Sequence, residues 1–333
     1  MKKQRIAILG VGAVGSILAA HLIKSGEEVV LVEALPGRLG GIRSDGVAVQ
    51  DPKNFTFGAF TVEAKEAYGS IEEAAEGGLD AVFVCVKVCA LKYILPGIKA
   101  VCAGENPPLI VSFQNGLDTE EFLAPAAGRG NVLRGVVNYA GGLRPDGAAQ
   151  FAFFNKPNYL GALDESVAER AKELCSVMTK AGLDTEYTAE VKKKVWEKVI
   201  LNSMLSPITA LTGLTMQDSL DCEETRQIVV ELGREGIEVA AKDGFEFPEG
   251  FLDKCMGYLG KAGHHKPSML VDVEEGRESE IDFLNGKIRD HGLAQGLPVP
   301  YNKAIAAMVK GLDAKNIALK KGEKNGARLA KAG

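Results

Sequence analysis

Arg5-Ile-Ala-Ile-Leu-Gly10-Val-Gly12-Ala-Val-Gly15-Ser-Ile-Leu-Ala19 is the stretch on which the reading of this chain turns. Arg5 to Leu9 reads as a buried parallel strand, and Ala13 to Lys24 as a helix. Gly10 permits the tight turn out of the strand, Gly12 lets a pyrophosphate approach the backbone, and Gly15 lets the helix pack closely on the strand. The first helical turn, with Ala13 and Val14, then offers free N–H groups and partial positive charge to the phosphates. A second strand, Glu28 to Val32, ends in the acidic Glu33, placed to meet a ribose hydroxyl. That context favours dinucleotide binding over an ordinary strand-to-helix glycine turn.

The chain has 333 residues, enough for two domains. Apolar residues make up 46% and charged residues 25%, and the formal net charge is −5, so nothing points to nucleic acid as a partner. No apolar run is long enough to span a bilayer. Met1-Lys-Lys-Gln-Arg5 leads into the first strand without the apolar segment of a secretory signal, so a cytoplasmic location is expected. Six cysteines show no paired framework; Cys85 and Cys89 bracket Lys87, but no matching Cys or His pair follows, so no metal site is expected. His264 and His265 read as solvated loop residues.

Beyond Glu33 the sequence alternates short apolar strands with helices. A loop and short helix come first, then hairpin material from Val47 to Val62 around Pro52, and a short acidic helix from Ser70 to Gly77. Strands follow at Leu79–Val86, Pro108–Phe113 and Val132–Val137, the first two delivering Lys87 and Gln114-Asn115-Gly116 at their carboxyl ends. This alternation describes an α/β, Rossmann-type doubly wound sheet, whose ligands bind beyond the carboxyl ends of the strands. Gln150–Leu163 and Asp184–Thr188 read as further antiparallel strands closing the domain. From Ala189 onward only helices are expected: Val191–Leu211, Cys222–Asp243, Gly250–Gly260, Ser268–Gly292 and Asn302–Ala314, with a fraying tail over 314–333. The chain thus divides into a dinucleotide-binding domain, residues 1–188, and an all-helical substrate and catalytic domain, residues 189–333.

Within the helix Val191–Leu211, Lys198, Asn202 and Ser206 recur every four residues and form one polar stripe. Val199, Ile200, Leu201, Met204 and Leu205 demand burial around most of the remainder, so the helix reads as central and its stripe as facing a cleft rather than plain solvent. Glu280, one helical turn from Leu284, lies beside an apolar face, where it either snorkels or does electrostatic work.

These residues together resemble the ketopantoate reductase (2-dehydropantoate 2-reductase) family over nearly the whole chain. The resemblance rests on Gly10-x-Gly12-x-x-Gly15, Val86-Lys87, Gln114-Asn115-Gly116, Trp196-Glu-Lys198 with Asn202, Ser268 with Asp272, Gly276-Arg277-x-x-Glu280-Ile-Asp282-x-x-Asn285-Gly286, and Pro298-Val-Pro-Tyr-Asn302. It implies reduction of a 2-oxo acid at C2 by a nicotinamide hydride, in the family's case ketopantoate to (R)-pantoate for pantothenate synthesis. Oxygen gains negative charge as hydride arrives, so a proton donor must stand beside it. The family's catalytic lysine falls on Lys198; a lysine of ordinary pKa, about 10.4, is protonated at neutral pH. Glu280 matches the acid held near that lysine, Asn202 and Ser268 match substrate-gripping positions, Asn115 a residue near nicotinamide and substrate, and Lys87 one near the cofactor. A monomer or homodimer is implied.

Two departures bear on specificity. Where the family carries a second asparagine one turn beyond the first, this chain has Ser206 before Pro207. Where the family commonly places Arg after the second strand for the 2′-phosphate of NADPH, this chain has Glu33-Ala34, which suits NADH unless Arg38 or Arg43 compensates. NADP(H) is the family default and NAD(H) the alternative. A dehydrogenase for another D-2-hydroxy acid is therefore the competing reading, and a non-catalytic nucleotide sensor a third. A pure binder has no need of Lys198, Asn202, Ser268 and Glu280 together.

Overall fold

From Ile6 to Leu9 every residue of the first strand is buried, so the strand must run through the middle of a sheet covered on both faces. The computed structural model describes residues 3–330, with side chains through residue 320. Met1, Lys2 and residues 331–333 lie outside the described residues, so the readings of the N-terminal lysines and the end of the tail concern them only in part.

In chain order the first unit holds β1 (Arg5–Leu9), α1 (Ala13–Ser25), β2 (Glu28–Val32), α2 (Pro36–Asp45), β3 (Val47–Gln50), β4 (Phe60–Val62), β5 (Glu66–Tyr68), α3 (Ile71–Ala74) and β6 (Ala81–Val84). It continues with α4 (Leu91–Val101), β7 (Leu109–Ser112), α5 (Thr119–Ala127), β8 (Val132–Val136), β9 (Tyr139–Leu143), β10 (Ala149–Phe154), β11 (Asn158–Ala162), α6 (Ala168–Lys180) and β12 (Thr185–Tyr187). The main sheet has the order β12-β11-β8-β7-β6-β1-β2-β5. Its run from β5 to β8 is parallel throughout, which is the doubly wound arrangement with β1 and β6 at the point where the winding reverses. Beyond β8, β11 joins antiparallel and β12 pairs parallel to β11, so both closing strands run opposite to the parallel set, as expected; the single strand expected over Gln150–Leu163 instead divides into β10, in a second sheet, and β11. Helix α6 returns the chain between β11 and β12, and a crossover of that kind delivers a parallel partner.

A second sheet, β4-β3-β10-β9, contains the expected hairpin of β3 and β4, with Val47 opposite Val62. Helix α1 contacts β1 and β2 of the first sheet and β3, β9 and β10 of the second. This explains its unbroken burial from Gly15 to Leu22: a helix apolar on all sides needs cover on all sides. His21, the one imidazole in that stretch, is held neutral by burial, its pKa pushed down to about 4. Its Nε2 lies 2.9 Å from the Thr56 hydroxyl, and the Phe60 ring meets it edge-on.

The chain divides into two compact units after Lys194, inside α7 (Val191–Thr212). The second unit is helical: α8 (Met216–Asp221), α9 (Glu223–Lys242), α10 (Phe251–Leu259), α11 (Ser268–Glu274), α12 (Asn285–Ala294) and α13 (Pro300–Ala330) follow. Helix α9 packs against α8, α10, α12 and α13. Gly233 and Gly236 on α9 leave no room for a Cβ beside Met204 and little beside Ile200, so α7 also seats closely on α9.

The expected single helix over Ser268–Gly292 is broken. Gly276 takes φ +59°, a left-handed conformation that ends the helical run just past α11, and only a short 3-10 turn at Ile281–Phe283 precedes α12. Glu280 therefore does not lie on a helical face one turn from Leu284. The tail also departs from expectation, since α13 continues to Ala330. Its middle turns are tied back to α11 and the segment after it: Asp313 accepts from Ser279, Asn316 Nδ2 donates to the Val273 carbonyl at 3.1 Å, and Lys320 Nζ donates to the Glu275 carbonyl.

Among the described residues no helix is long and apolar enough to cross a membrane. No disulfide forms, and among the described residues no group of three or more His, Cys, Asp or Glu gathers that could hold a metal ion.

Candidate active site

The glycine turn is fixed by what crowds it. Gly10 has φ +96°, and a Cβ there would stand 2.8 Å from the Val86 nitrogen in the loop after β6. At Gly15 a Cβ would fall 2.1 Å from the Gly10 carbonyl oxygen, so only glycine lets α1 start this close to β1. Gly12 is different: apart from its chain neighbours, no described atom lies within 4 Å of the place its Cβ would take. The N-terminus of α1 has no side-chain cap and no acid in its first turn, where Ala13 and Val14 are half-buried. Open space over Gly12 beside uncapped helical N–H groups fits the pyrophosphate of a dinucleotide.

Glu33 and Arg38 stand at the other end of this turn. Glu33 is 8% exposed; its Oε1 accepts from the Leu35 N–H at 3.0 Å, and its Oε2 lies 3.5 Å from Arg38 Nε. Arg38 donates from Nε to the Val11 carbonyl at 2.6 Å and from Nη2 to Ser16 Oγ at 3.0 Å. Burial lowers the Arg38 pKa, and the Glu33 charge acts against that shift. Of the two arginines the sequence offers for a 2′-phosphate, only Arg38 is bonded to the glycine turn. Arg43 donates instead from Nε and Nη2 to the Ala67 carbonyl, at 3.0 and 2.7 Å.

Lys87 is exposed at the first turn beyond β6, where its carbonyl accepts from the Ala90 N–H at 2.9 Å. Beyond β7 the chain turns through Gln114-Asn115-Gly116-Leu117-Asp118 with Gly116 at φ +106° and Asp118 at φ +60°. A non-glycine residue in the left-handed region costs about 1–2 kcal/mol, so surrounding bonds must hold the turn in shape. They come from β8: Arg134, 2% exposed, donates to the Gly116 carbonyl at 2.8 Å and to Thr119 Oγ1 at 2.6 Å, and its Nε lies 3.4 Å from Glu120 Oε2. Asn115 is half-buried on that turn.

In the helical unit, α7 carries the stripe. From Val195 to Ala210 the residues that are not fully buried are Glu197, Lys198, Leu201, Asn202 and Ser206, which fall on one side of the helix. Lys198, Asn202 and Ser206 therefore share a face, as their spacing predicts. Pro207 interrupts the ladder: lacking an N–H, it leaves the Ser203 carbonyl without its helical donor. Asn285 Nδ2 donates to that carbonyl at 3.0 Å and to Asn302 Oδ1 at 2.9 Å. Asn302 Nδ2 in turn donates to Glu235 Oε2 at 2.8 Å, and the Glu235 carboxylate accepts the N–H groups of Tyr301 and Asn302, capping α13.

Ser268 is exposed at the start of α11, and Asp272, buried on the same helix, accepts from Arg277 Nε at 2.9 Å. Glu280 is half-buried, and the preceding Ser279 donates from N and Oγ to Asp313 Oδ2 at 3.2 and 2.6 Å. Burial raises the Asp313 pKa, with the Ser279 bonds opposing.

Sequence reasoning missed Arg134 and Glu120; the signal was a lone cation in the apolar run Val132–Val137. In the sequence Asn285 and Asn302 stand as motif members, with nothing local to show the structural task of either.

The chain matches the family model described as "Ketopantoate reductase PanE/ApbA" over residues 6–165 and "Ketopantoate reductase PanE/ApbA C terminal" over residues 190–313. It is 28% identical to a 2-dehydropantoate 2-reductase from Archaeoglobus fulgidus, covering 94% of this chain and 99% of the relative. A protein of the same name from Pyrococcus horikoshii is 27% identical over 92% of this chain and 96% of its own length. Among solved structures, 2-dehydropantoate 2-reductase from Geobacter metallireducens aligns with a TM-score of 0.83 at 28% identity, covering 92% of this chain and 99% of that one. A D-mandelate dehydrogenase solved with NADH and anilino(oxo)acetate shares the fold with a TM-score of 0.83 at 22% identity, over 94% and 99% of the two chains.

Proposed function

The chain belongs to the ketopantoate reductase family, oxidoreductases acting on a CH–OH group with a nicotinamide cofactor, and within that family we propose that it reduces ketopantoate to (R)-pantoate for pantothenate synthesis in the cytoplasm. Membership in a family of enzymes sets aside the reading as a non-catalytic sensor. A bound reduced nicotinamide supplies a hydride to C2 of the 2-oxo acid. The chain's own residues supply the rest. The Gly10–Gly15 turn and the first turn of α1 hold the pyrophosphate, Glu33 meets the adenosine ribose, and Lys87 and Asn115 lie along the cofactor. Lys198 hydrogen-bonds the C2 oxygen and gives it a proton, so hydride and proton together yield the alcohol. Glu280 orients the lysine or the substrate hydroxyl, while Asn202, Ser206 and Ser268 grip the substrate's polar ends.

The observation that carries this reading is the half-buried stripe of Lys198, Asn202 and Ser206, flanked by Glu197 and Leu201, on a helix whose other residues from Val195 to Ala210 are buried. The test is Lys198→Ala, assayed with ketopantoate and either cofactor. Turnover should fall by about 10²–10⁴-fold while the dissociation constant for NAD(P)H stays near that of the parent. Unchanged turnover removes Lys198 from the chemistry.

Ser206 before Pro207, together with Glu33, favours a second reading: an NADH-dependent dehydrogenase for another D-2-hydroxy acid. A serine is shorter than the family's asparagine and leaves more room beside the substrate. The fold does not separate the two readings, since it also serves a D-mandelate dehydrogenase. A matrix of 2-oxo acids against both cofactors does. A preference of about tenfold against ketopantoate, roughly 1.4 kcal/mol in transition-state binding, decides for the second.

A further inference from the structure

The turn that carries Asn115 is organised by a buried charge that the chemistry itself does not use. Arg134 lies opposite Ser112 in the pairing of β8 with β7, so its side chain starts where the turn leaves the sheet. One nitrogen, Nη1, donates to Ser112 Oγ at 3.1 Å and to Thr119 Oγ1 at 2.6 Å, joining the last residue of β7 to the first of α5. The other, Nη2, donates to the Gly116 carbonyl at 2.8 Å, in the middle of the turn. Ser112 Oγ also donates to Gln114 Oε1 at 2.9 Å and lies 2.7 Å from Thr119 Oγ1. Ser112, Gln114, Thr119, Glu120 and Arg134 are all buried, whereas Asn115 is half-buried.

A guanidinium is costly to bury, and Glu120 is its ion-pair partner at 3.4 Å. A planar fork of donors can reach three backbone and hydroxyl acceptors from one fixed point, which a lysine cannot. With Ser112, Gly116 and Thr119 tied to Arg134, the peptides on both sides of Asn115 are restrained, and Asp118 is kept in a left-handed conformation that costs a residue with a Cβ.

We propose that Arg134 is a positioning residue: by bracing the Gln114–Thr119 turn from beneath, it holds the Asn115 side chain in its working orientation for the reduction. The inference rests on the role assigned to Asn115 under the proposed function. Arg134 touches neither substrate nor cofactor in this assignment and acts only through the turn.

The test uses the full-length enzyme and compares Asn115→Ala, the double variant Arg134→Met/Glu120→Leu, and all three substitutions together. The double variant removes both charges at once, so no buried charge is left alone and the fold is retained. We expect it to bind NAD(P)H within about threefold of the parent while kcat falls by about 30-fold or more, the size of effect a small misplacement of a reacting group has. Adding Asn115→Ala to it should cost less than about threefold further, because the contribution of Asn115 is already lost. Arg134→Lys keeps the charge without the fork, and should restore the melting temperature but not kcat. Should the double variant not fold, the kcat of Arg134→Lys decides alone. Parental kcat in the double variant or in Arg134→Lys, or the full Asn115→Ala loss reappearing in the double background, overturns the positioning role. If Asn115→Ala by itself leaves kcat unchanged, the assignment of Asn115 falls first and this inference with it.

Discussion

The Asn115 turn and the α7 stripe each present polar side chains from a buried scaffold, but the scaffolds differ. At Asn115 the backbone is irregular, with Gly116 and Asp118 in the left-handed region, and a buried ion pair of Arg134 and Glu120 braces it. On α7 the backbone is a regular helix whose interruption is Pro207, and the repair is a neutral amide, Asn285, reaching the Ser203 carbonyl. A turn beyond a strand has no repeating hydrogen-bond pattern, so its shape has to come from side chains with many donors. A helix supplies its own geometry and needs help only where one bond is missing. The cost of removing each support should differ accordingly.

The largest effect is expected at Glu120. Glu120→Leu leaves the Arg134 guanidinium buried without its carboxylate, which typically costs about 3–5 kcal/mol. Urea denaturation of the single variant measures this, and the paired replacement with Arg134→Met should recover much of it. A loss no greater than that of an average surface substitution would mean that the Arg134 hydrogen bonds, rather than the ion pair, carry the turn.

Asn285 comes next. Asn285→Ala strips a donor from the Ser203 carbonyl and another from Asn302, and leaving buried acceptors unsatisfied costs about 1–3 kcal/mol each. Pro207→Ala restores a backbone N–H four residues beyond Ser203, so the pair Pro207→Ala/Asn285→Ala should lose less than Asn285→Ala does in the parent. Simple additivity in that cycle would show that Asn285 serves Asn302 and α13 rather than the helix that carries the stripe.

The same contrast explains what could be read in advance. The glycine turn, the five buried strands β1, β2, β6, β7 and β8, and the spacing of Lys198, Asn202 and Ser206 follow from local periodicity, which operates over a few residues. Strand β5, with three residues, and β9, with two glycines, carry too weak a pattern to announce themselves. The break at Gly276 was hidden because acidic and apolar residues on either side continue a helical period across it. Arg134 was visible as a charge in an apolar strand, but Glu120 sits in the first turn of α5, where acids are common for their effect on the helix dipole. Nothing local links the two. Likewise Pro207 announces an orphaned carbonyl, yet the identity of its donor, 82 residues away, is a property of packing.

Charge also governs the third and smallest effect. In the proposed assignment Glu33 meets the adenosine ribose, where its carboxylate would accept from a 2′-hydroxyl and repel a 2′-phosphate. Arg38 is already bonded to the Val11 carbonyl and Ser16, so it does not depend on Glu33 to stay at the turn. Glu33→Ala should therefore leave a guanidinium in place whose charge is no longer countered. Relative use of NADPH over NADH should rise by about tenfold, roughly 1.4 kcal/mol, read as the ratio of kcat/KM for the two cofactors. Adding Arg38→Ala should cancel most of that rise. A ratio that Glu33→Ala leaves unchanged would place the adenosine ribose elsewhere, and the choice of cofactor would then rest on groups outside the glycine turn.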